Sequence, residues 1–205
     1  IGAFGQGMGD MDITAAWHQG MVWFKIPLSV KINFEGIIPE DVSPKDIVLN
    51  LLNIFGANSL LGYAIEMDGP PVNNMSLDDR ITISSMATEM GAIIIMFPPS
   101  KSITDYCSKH SVTKFQTYFA DGNAKYFKTF NINVSRFRPM ISRPGEPHDT
   151  VNVSEVQGTK IDSAFIGSCT NGRMSDMQKV AALLKNRRIA PGVVLKIVPA
   201  TDSIW

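Results

Sequence analysis

The stretch IDSAFIGSCTNGRMSDMQKVAALLKNRRIAPGVVLKIV, residues 161–198, decides the fold. Residues 161–167 form a short apolar run that ends on glycine, and residues 193–198 form a second run of the same kind. Between them, residues 173–187 place apolar side chains at helical spacing. Strand, loop, helix and strand in that order predict two parallel strands joined by a right-handed crossover. The class is therefore α/β, with layered sheets and helices.

In open α/β sheets, ligands gather beyond the carboxyl ends of parallel strands. Residues 168–172 form the loop at that place, and Cys169 stands in it. The free amides of the following helix favour a thiolate, which binds metal or attacks electrophiles. By itself such a cysteine is more readily read as a small buried residue near a strand end. A thiol nucleophile would need a base nearby, and none of His18, His110 or His148 is placed beside Cys169 by sequence.

The rest of the chain alternates in the same manner. Residues 13–24 predict a helix ended by Pro27, and residues 30–34 alternate as a strand. Ser43-Pro44-Lys45-Asp46 is a helix start: a capping serine, a proline in the first turn and an acid at the positive end of the dipole. That helix should stop at Gly56. Residues 63–67 predict a strand and Gly69-Pro70-Pro71 a turn. Ser76 is the next N-cap, of a helix expected to reach Met90 with Gly91 as its C-cap. Residues 92–97 predict a buried strand, 104–119 helical or irregular structure, and 125–134 a strand. Residues 136–153, with RPMISRPGEP, make the best linker.

Composition sets the limits. The 205 residues carry 19 basic and 19 acidic side chains and no net charge. Nothing here draws the chain to nucleic acid or to an anionic membrane. Lys185, Arg187 and Arg188 read as a solvated helix end. No apolar run approaches the roughly 18 residues that a membrane-spanning helix needs. The glycines of GAFGQGMGDMD, residues 2–12, lack the dinucleotide-binding spacing. Two cysteines, Cys107 and Cys169, are too few for a disulfide framework, so the expected compartment is the reducing cytoplasm. The sequons at Asn133 and Asn152 are then chance matches. Cys107 and His110 stand three apart but lack further ligands nearby, so no metal site is expected there.

One helix carries a notable pair. If residues 76–90 are helical, Ser85 and Glu89 share a face. Glu89 then lies in the last turn, where the dipole disfavours a carboxylate, among Met86, Met90 and an apolar strand. Such a group needs a partner or a shifted pKa, unless it points to water.

Four stretches together resemble the aconitase family over nearly the whole chain. IGSCTNGRMSDM, residues 166–177, resembles its first cluster-cysteine signature. GAFGQGMGDMDITAAW, residues 2–17, resembles the segment that follows a catalytic Asp-Ser-His motif. VSPKDIVLNLL, residues 42–52, and SLDDRITISSMATEMGA, residues 76–92, resemble two of its helices. The likeness is greatest to large subunits of the isopropylmalate dehydratase and homoaconitase group.

The resemblance implies a hydro-lyase that interconverts 2-hydroxy di- or tricarboxylic acids through an enoic acid. It implies a four-iron four-sulfur cluster held by three cysteines, with the open iron as Lewis acid. Cys169 carries over as the first cluster cysteine and metal ligand, and Glu89 as the active-site glutamate. Ser85 stands where relatives usually have asparagine. Asn171 carries over as a residue of the cluster surroundings. 3-Isopropylmalate is the expected substrate; the acids of homoaconitase, aconitase or dimethylmalate dehydratase are alternatives. A small subunit carrying the last domain is the implied partner. A non-catalytic RNA-binding protein of the same fold is the alternative of another class, and zero net charge speaks against it.

On this plan residues 1–33 are a remnant of a first domain, 34–134 a second α/β domain, and 135–205 a linker and the start of a third. The Asp-Ser-His motif is expected before Ile1, and the other two cysteines beyond Trp205. An unfinished third domain should leave apolar surface exposed near the C-terminus, with association or partial disorder there. Full hydrogen-exchange protection of residues 193–198 in a monomer would count against that.

Overall fold

The computed structural model describes residues 8–23, 25–168 and 170–205. The chain divides into two compact units, Ile1–Val151 and Asn152–Trp205. Packing within the chain thus gives two units where three parts were expected.

In the first unit, α1 (Asp10–Gln19) is followed by β1 (Ser29–Glu35), α2 (Pro44–Phe55), β2 (Ala64–Asp68), α3 (Pro70–Asn73) and α4 (Leu77–Ser85). Then come β3 (Ile94–Met96), α5 (Lys101–His110), β4 (Lys128–Asn133), β5 (Met140–Ser142) and β6 (Thr150–Asn152). The main sheet has the order β3-β2-β1-β4, and every neighbouring pair is parallel. Alternation decides which face is buried. Val30, Ile32 and Phe34 of β1 are buried with Ile65 and Met67 of β2. They pack with Ile47, Val48, Leu51 and Leu52 of α2 and Ile83 of α4 in one apolar core.

Polar groups line the other side of these strands. The Lys31 ammonium pairs with Asp68 at 2.8 Å. Tyr126 donates its hydroxyl to Glu66 at 2.9 Å. Burial first, and Glu66 second, push the Tyr126 phenol up to about 12. The neutral phenol is thus favoured in the folded chain. Its contribution to stability is complete below the ordinary value of 10.0 and is lost as pH rises through about 12. In an ultraviolet titration Tyr126 should ionise well above the ordinary value of 10.0. Glu66→Gln should bring it part of the way down, because burial remains.

The start of α2 follows its sequence. Ser43 Oγ accepts from the Asp46 amide at 3.2 Å, and Asp46 Oδ2 accepts from the Ser43 amide at 2.8 Å. The other oxygen, Asp46 Oδ1, accepts from the Met140 amide at 2.8 Å. Asn50 likewise donates to the Arg138 carbonyl at 2.8 Å. The segment expected to be a linker is therefore docked on α2 and contains the paired strands β5 and β6. Asp46→Ala removes a cap and a long-range contact together. We expect a loss of about 2 kcal/mol in urea unfolding, roughly twice the cost of a cap alone.

Three boundaries differ from expectation. α1 stops at Gln19, because Gly20 at φ 70° closes it by donating to the Ala16 carbonyl at 2.8 Å. The expected end, Phe24, lies outside the described residues. Gly69-Pro70-Pro71 opens the short helix α3 rather than a plain turn. α4 ends at Ser85, not at Met90. Its last turns are made of Ile81, Thr82, Ile83 and two serines, all weaker helix formers. Ser84 Oγ also bonds back to the Arg80 carbonyl at 2.7 Å.

The Asn133 sequon is a turn. Asn133 Oδ1 accepts from the Ser135 amide at 3.0 Å, and Ser135 Oγ accepts from the Ile37 amide at 2.8 Å, closing β4 onto the end of β1.

The second unit contains β7 (Ser163–Ile166), α6 (Met174–Leu184) and β8 (Val194–Ile197). β7 and β8 pair in parallel with Ser163 opposite Val194, as the crossover reading predicts. Among the described residues, no hydrophobic side chain of this unit joins the buried core. Phe165 is 59% exposed and Leu183 66%. No helix of the described residues is long and apolar enough to cross a membrane.

Candidate functional site

In the first unit, Ser85 and Glu89 do not share a helix face, since α4 has ended before Glu89. Residues 86–91 continue as tight turns, with Met90 donating to the Ala87 carbonyl at 3.1 Å and Gly91 to that of Thr88 at 3.0 Å. Gly91 at φ 73° keeps the turning role expected of it, though not as a helix cap. Met86, Ala87 and Met90 are buried, and the turn holds Glu89 half-buried among them. Its Oε2 accepts from Thr88 Oγ1 at 3.0 Å, which supplies the partner that such a carboxylate needs. Ser85 is exposed.

Cys107 lies half-buried on α5 and lines a cavity of about 330 Å³ with Ile103 and Phe115. His110 is engaged locally: its Nδ1 lies 2.8 Å from the Tyr106 carbonyl and its ring stacks on that of Tyr106. Among the described residues, no group of three or more His, Cys, Asp or Glu could hold a metal ion.

In the second unit, the loop after β7 is held at both ends by the exit of β8. The Val198 amide donates to the Ile166 carbonyl at 2.8 Å, and the Ala200 amide to that of Gly172 at 2.8 Å. Cys169 lies outside the described residues, but its neighbours on both sides are fixed. Ser168 Oγ accepts from the amides of Thr170 at 3.1 Å and Asn171 at 3.2 Å. It also lies 2.8 Å from Thr170 Oγ1. Thr170 in turn donates its hydroxyl to Asn171 Oδ1 at 3.0 Å.

Asp176, in the first turn of α6, completes this network. Its Oδ2 accepts from the amides of Gly172 at 3.0 Å and Arg173 at 3.1 Å, and from Asn171 Nδ2 at 3.4 Å. The Asn171 side chain is thus oriented from both of its ends. Sequence reasoning passed over Ser168, Thr170 and Asp176. A signal for Asp176 was present: an acid three residues after Arg173 stands at the far position of a capping box. Arg173 hid it, because arginine is not a usual first member.

The architecture, a parallel sheet with a polar cysteine loop on a separate strand–helix–strand unit, agrees with what the four stretches imply. The aconitase family model (aconitate hydratase) matches residues 1–159 and 154–205. The chain belongs to the aconitase family. Aconitase-family relatives align along all of it. It is 38% identical over 205 residues to the 3-isopropylmalate dehydratase large subunit of Clostridium kluyveri, covering 100% of this chain and 49% of that protein. It is 35% identical over 206 residues to the 2,3-dimethylmalate dehydratase large subunit of Eubacterium barkeri, again 100% and 49%. The 3-isopropylmalate dehydratase large subunit 1 of Pyrococcus abyssi is 34% identical over 207 residues, with the same shares. The chain therefore spans about half the length of the curated relatives it matches.

Proposed function

We propose that this chain is part of the large subunit of a hydro-lyase acting on a substituted malate, with 3-isopropylmalate as the substrate. The observation that carries the reading is the family membership, joined to relatives aligned along 100% of the chain whose names state that activity. The 2,3-dimethylmalate dehydratase at 35% identity makes the smaller acid the second choice. The words "large subunit" in those names support a small-subunit partner.

The family's cluster is tested against the loop. Position 169 offers a thiol, the ligand that such a cluster takes. Its described neighbours, Ser168, Thr170 and Asn171, are hydroxyl and amide groups already tied to one another. Gly167 and Gly172 lack side chains where the backbone of residues 198 and 200 comes closest. The loop offers one thiol, and among the described residues no group of three or more His, Cys, Asp or Glu could hold a metal ion. We therefore place Cys169 as one ligand and route no step of the reaction through the cluster. When bound, an iron–sulfur cluster supplies a Lewis acid for a departing hydroxyl.

The chain's own residues have smaller roles in this reading. Glu89 presents a carboxylate on a turn anchored by buried side chains. Asn171 is a fixed amide in the cysteine loop, and Asp176 and Thr170 set its orientation. Ser85, exposed at the end of α4, is the least supported of the four proposed site residues.

The test uses the full-length protein with its small subunit, reconstituted anaerobically and offered 3-isopropylmalate, 2,3-dimethylmalate, homocitrate-type acids and citrate. Turnover of one acid, abolished in Cys169→Ala together with the cluster's visible absorbance, is the expected result. A protein that binds no cluster and dehydrates none of these acids would sink the reading.

A further inference from the structure

We propose that Asn171–Gly172 is a deamidation site that Asp176 holds closed in the folded loop. Asparagine followed by glycine is chemically exposed, because no Cβ hinders attack by the next amide. In the reaction the Gly172 nitrogen loses its proton to solvent base and attacks Asn171 Cγ. A bond forms between nitrogen and Cγ, Nδ2 takes up a proton from solvent, its bond to Cγ breaks, and ammonia leaves. Water then opens the cyclic imide to aspartate or isoaspartate, with no change of oxidation state.

The structure opposes each part of that step. The Gly172 N–H is donated to Asp176 Oδ2 at 3.0 Å, so the attacking nitrogen is kept protonated beside a negative charge. Asn171 Nδ2, the leaving group, reaches the same oxygen at 3.4 Å. Asn171 Oδ1 is held by Thr170 at 3.0 Å, and the Gly172 carbonyl by the Ala200 amide at 2.8 Å. Gly172 is itself buried. The turn towards attack must break several of these contacts at once.

The loop nevertheless belongs to the unit whose described hydrophobic side chains all stay out of the buried core, so it opens more readily than the main sheet. Each opening exposes the pair to reaction. The carboxylate created at position 171 would then face Asp176, and the repulsion would keep the loop from closing again. The site is thus an irreversible ageing point two residues from Cys169. It does not depend on the hydro-lyase reading, and its test needs no cluster.

The experiment incubates the chain at mildly alkaline pH and follows the tryptic peptide Ile161–Arg173 by mass spectrometry for the amide-to-acid gain. Folded wild type should convert roughly ten-fold or more slowly than wild type in denaturant, because only the opened loop reacts. Asp176→Ala should approach the denatured rate. Asp176→Asn keeps an oxygen acceptor and should fall between, with α6 still folded by circular dichroism. Two results would overturn the proposal: folded wild type converting as fast as denatured chain, or Asp176→Asn with α6 intact converting no faster than wild type.

Discussion

Arg80→Ala is expected to destabilise the first unit by about 3–5 kcal/mol, the range for emptying a large core position. Arg80 is 0% exposed, an unusual place for a charged side chain. Its guanidinium donates to the Pro98 carbonyl at 2.8 Å and to the Val72 carbonyl at 3.1 Å. It also lies 5.4 Å from the centre of the Phe97 ring. One side chain of α4 therefore serves the exits of both β2 and β3. The arrangement carries a cost: Nε is buried without a partner, and burial pulls the guanidinium's pKa down.

The alanine variant leaves a cavity and takes the guanidinium from both carbonyls, although that of Val72 still accepts from the Met75 amide at 3.2 Å; the two effects add. Arg80→Met separates them. It refills the volume and removes the desolvated charge, so it should lose about 1–2 kcal/mol less than alanine. Urea unfolding of both variants tests this. Equal midpoints for alanine and methionine would show that hydrogen bonding, not packing, dominates at this position. An unchanged midpoint for alanine would refute the account of Arg80 as a strut.

What the sequence revealed of the fold depended on how local each signal was. α2 was legible from end to end, since Ser43, Pro44 and Asp46 start it and Gly56 follows it. The strand–loop–helix–strand unit was legible because its two apolar runs and the helix between them have different periods. α4 was misjudged by five residues, from Ser85 to Met90, because Gly91 resembled a C-cap while the weak helix formers at 81–85, with Ser84 bonded back to the Arg80 carbonyl, gave out earlier. The docking of residues 136–153 was hidden for another reason. Prolines and glycines there signal turns, but the groups that hold the turns, Asp46, Asn50 and Asn53, lie almost a hundred residues earlier.

The candidate site was legible in the same uneven way. Position 169 and the amide at 171 stood out through the resemblance, and Asp176 did not, since an arginine fills the place of the usual capping residue. The Glu89 environment was half anticipated: the methionines around it were expected, whereas the helix expected to carry it ends at Ser85 and gives way to tight turns. Arg80 went unmarked because a lone arginine after two acids on a helix reads as solvated until its burial is seen.

Gly167→Ala should have the largest effect on the cysteine loop. Gly167 sits at φ 133°, where any side chain is strained, and a Cβ there would run into the Val198 carbonyl oxygen. It would also lie 3.1 Å from the Val198 carbonyl carbon. These are backbone atoms of the neighbouring strand's exit, so no side-chain rotation relieves the clash. The chain must separate β7 from β8 at their carboxyl ends. That breaks the bond from the Val198 amide to the Ile166 carbonyl and the one from the Ala200 amide to the Gly172 carbonyl, each 2.8 Å in the wild type. Strain alone costs about 1–3 kcal/mol, and the unit has little buried apolar surface to absorb it. Hydrogen exchange at the amides of Val198 and Ala200 should therefore approach the unprotected rate, while amides of β1 and β2 keep wild-type protection. If Val198 and Ala200 stay protected, the close approach at Gly167 is not what shapes the loop. The glycine matters because the backbone of one strand's exit rests directly on that of the next, and the loop's hydroxyls, Asn171 and Asp176 are arranged above that contact.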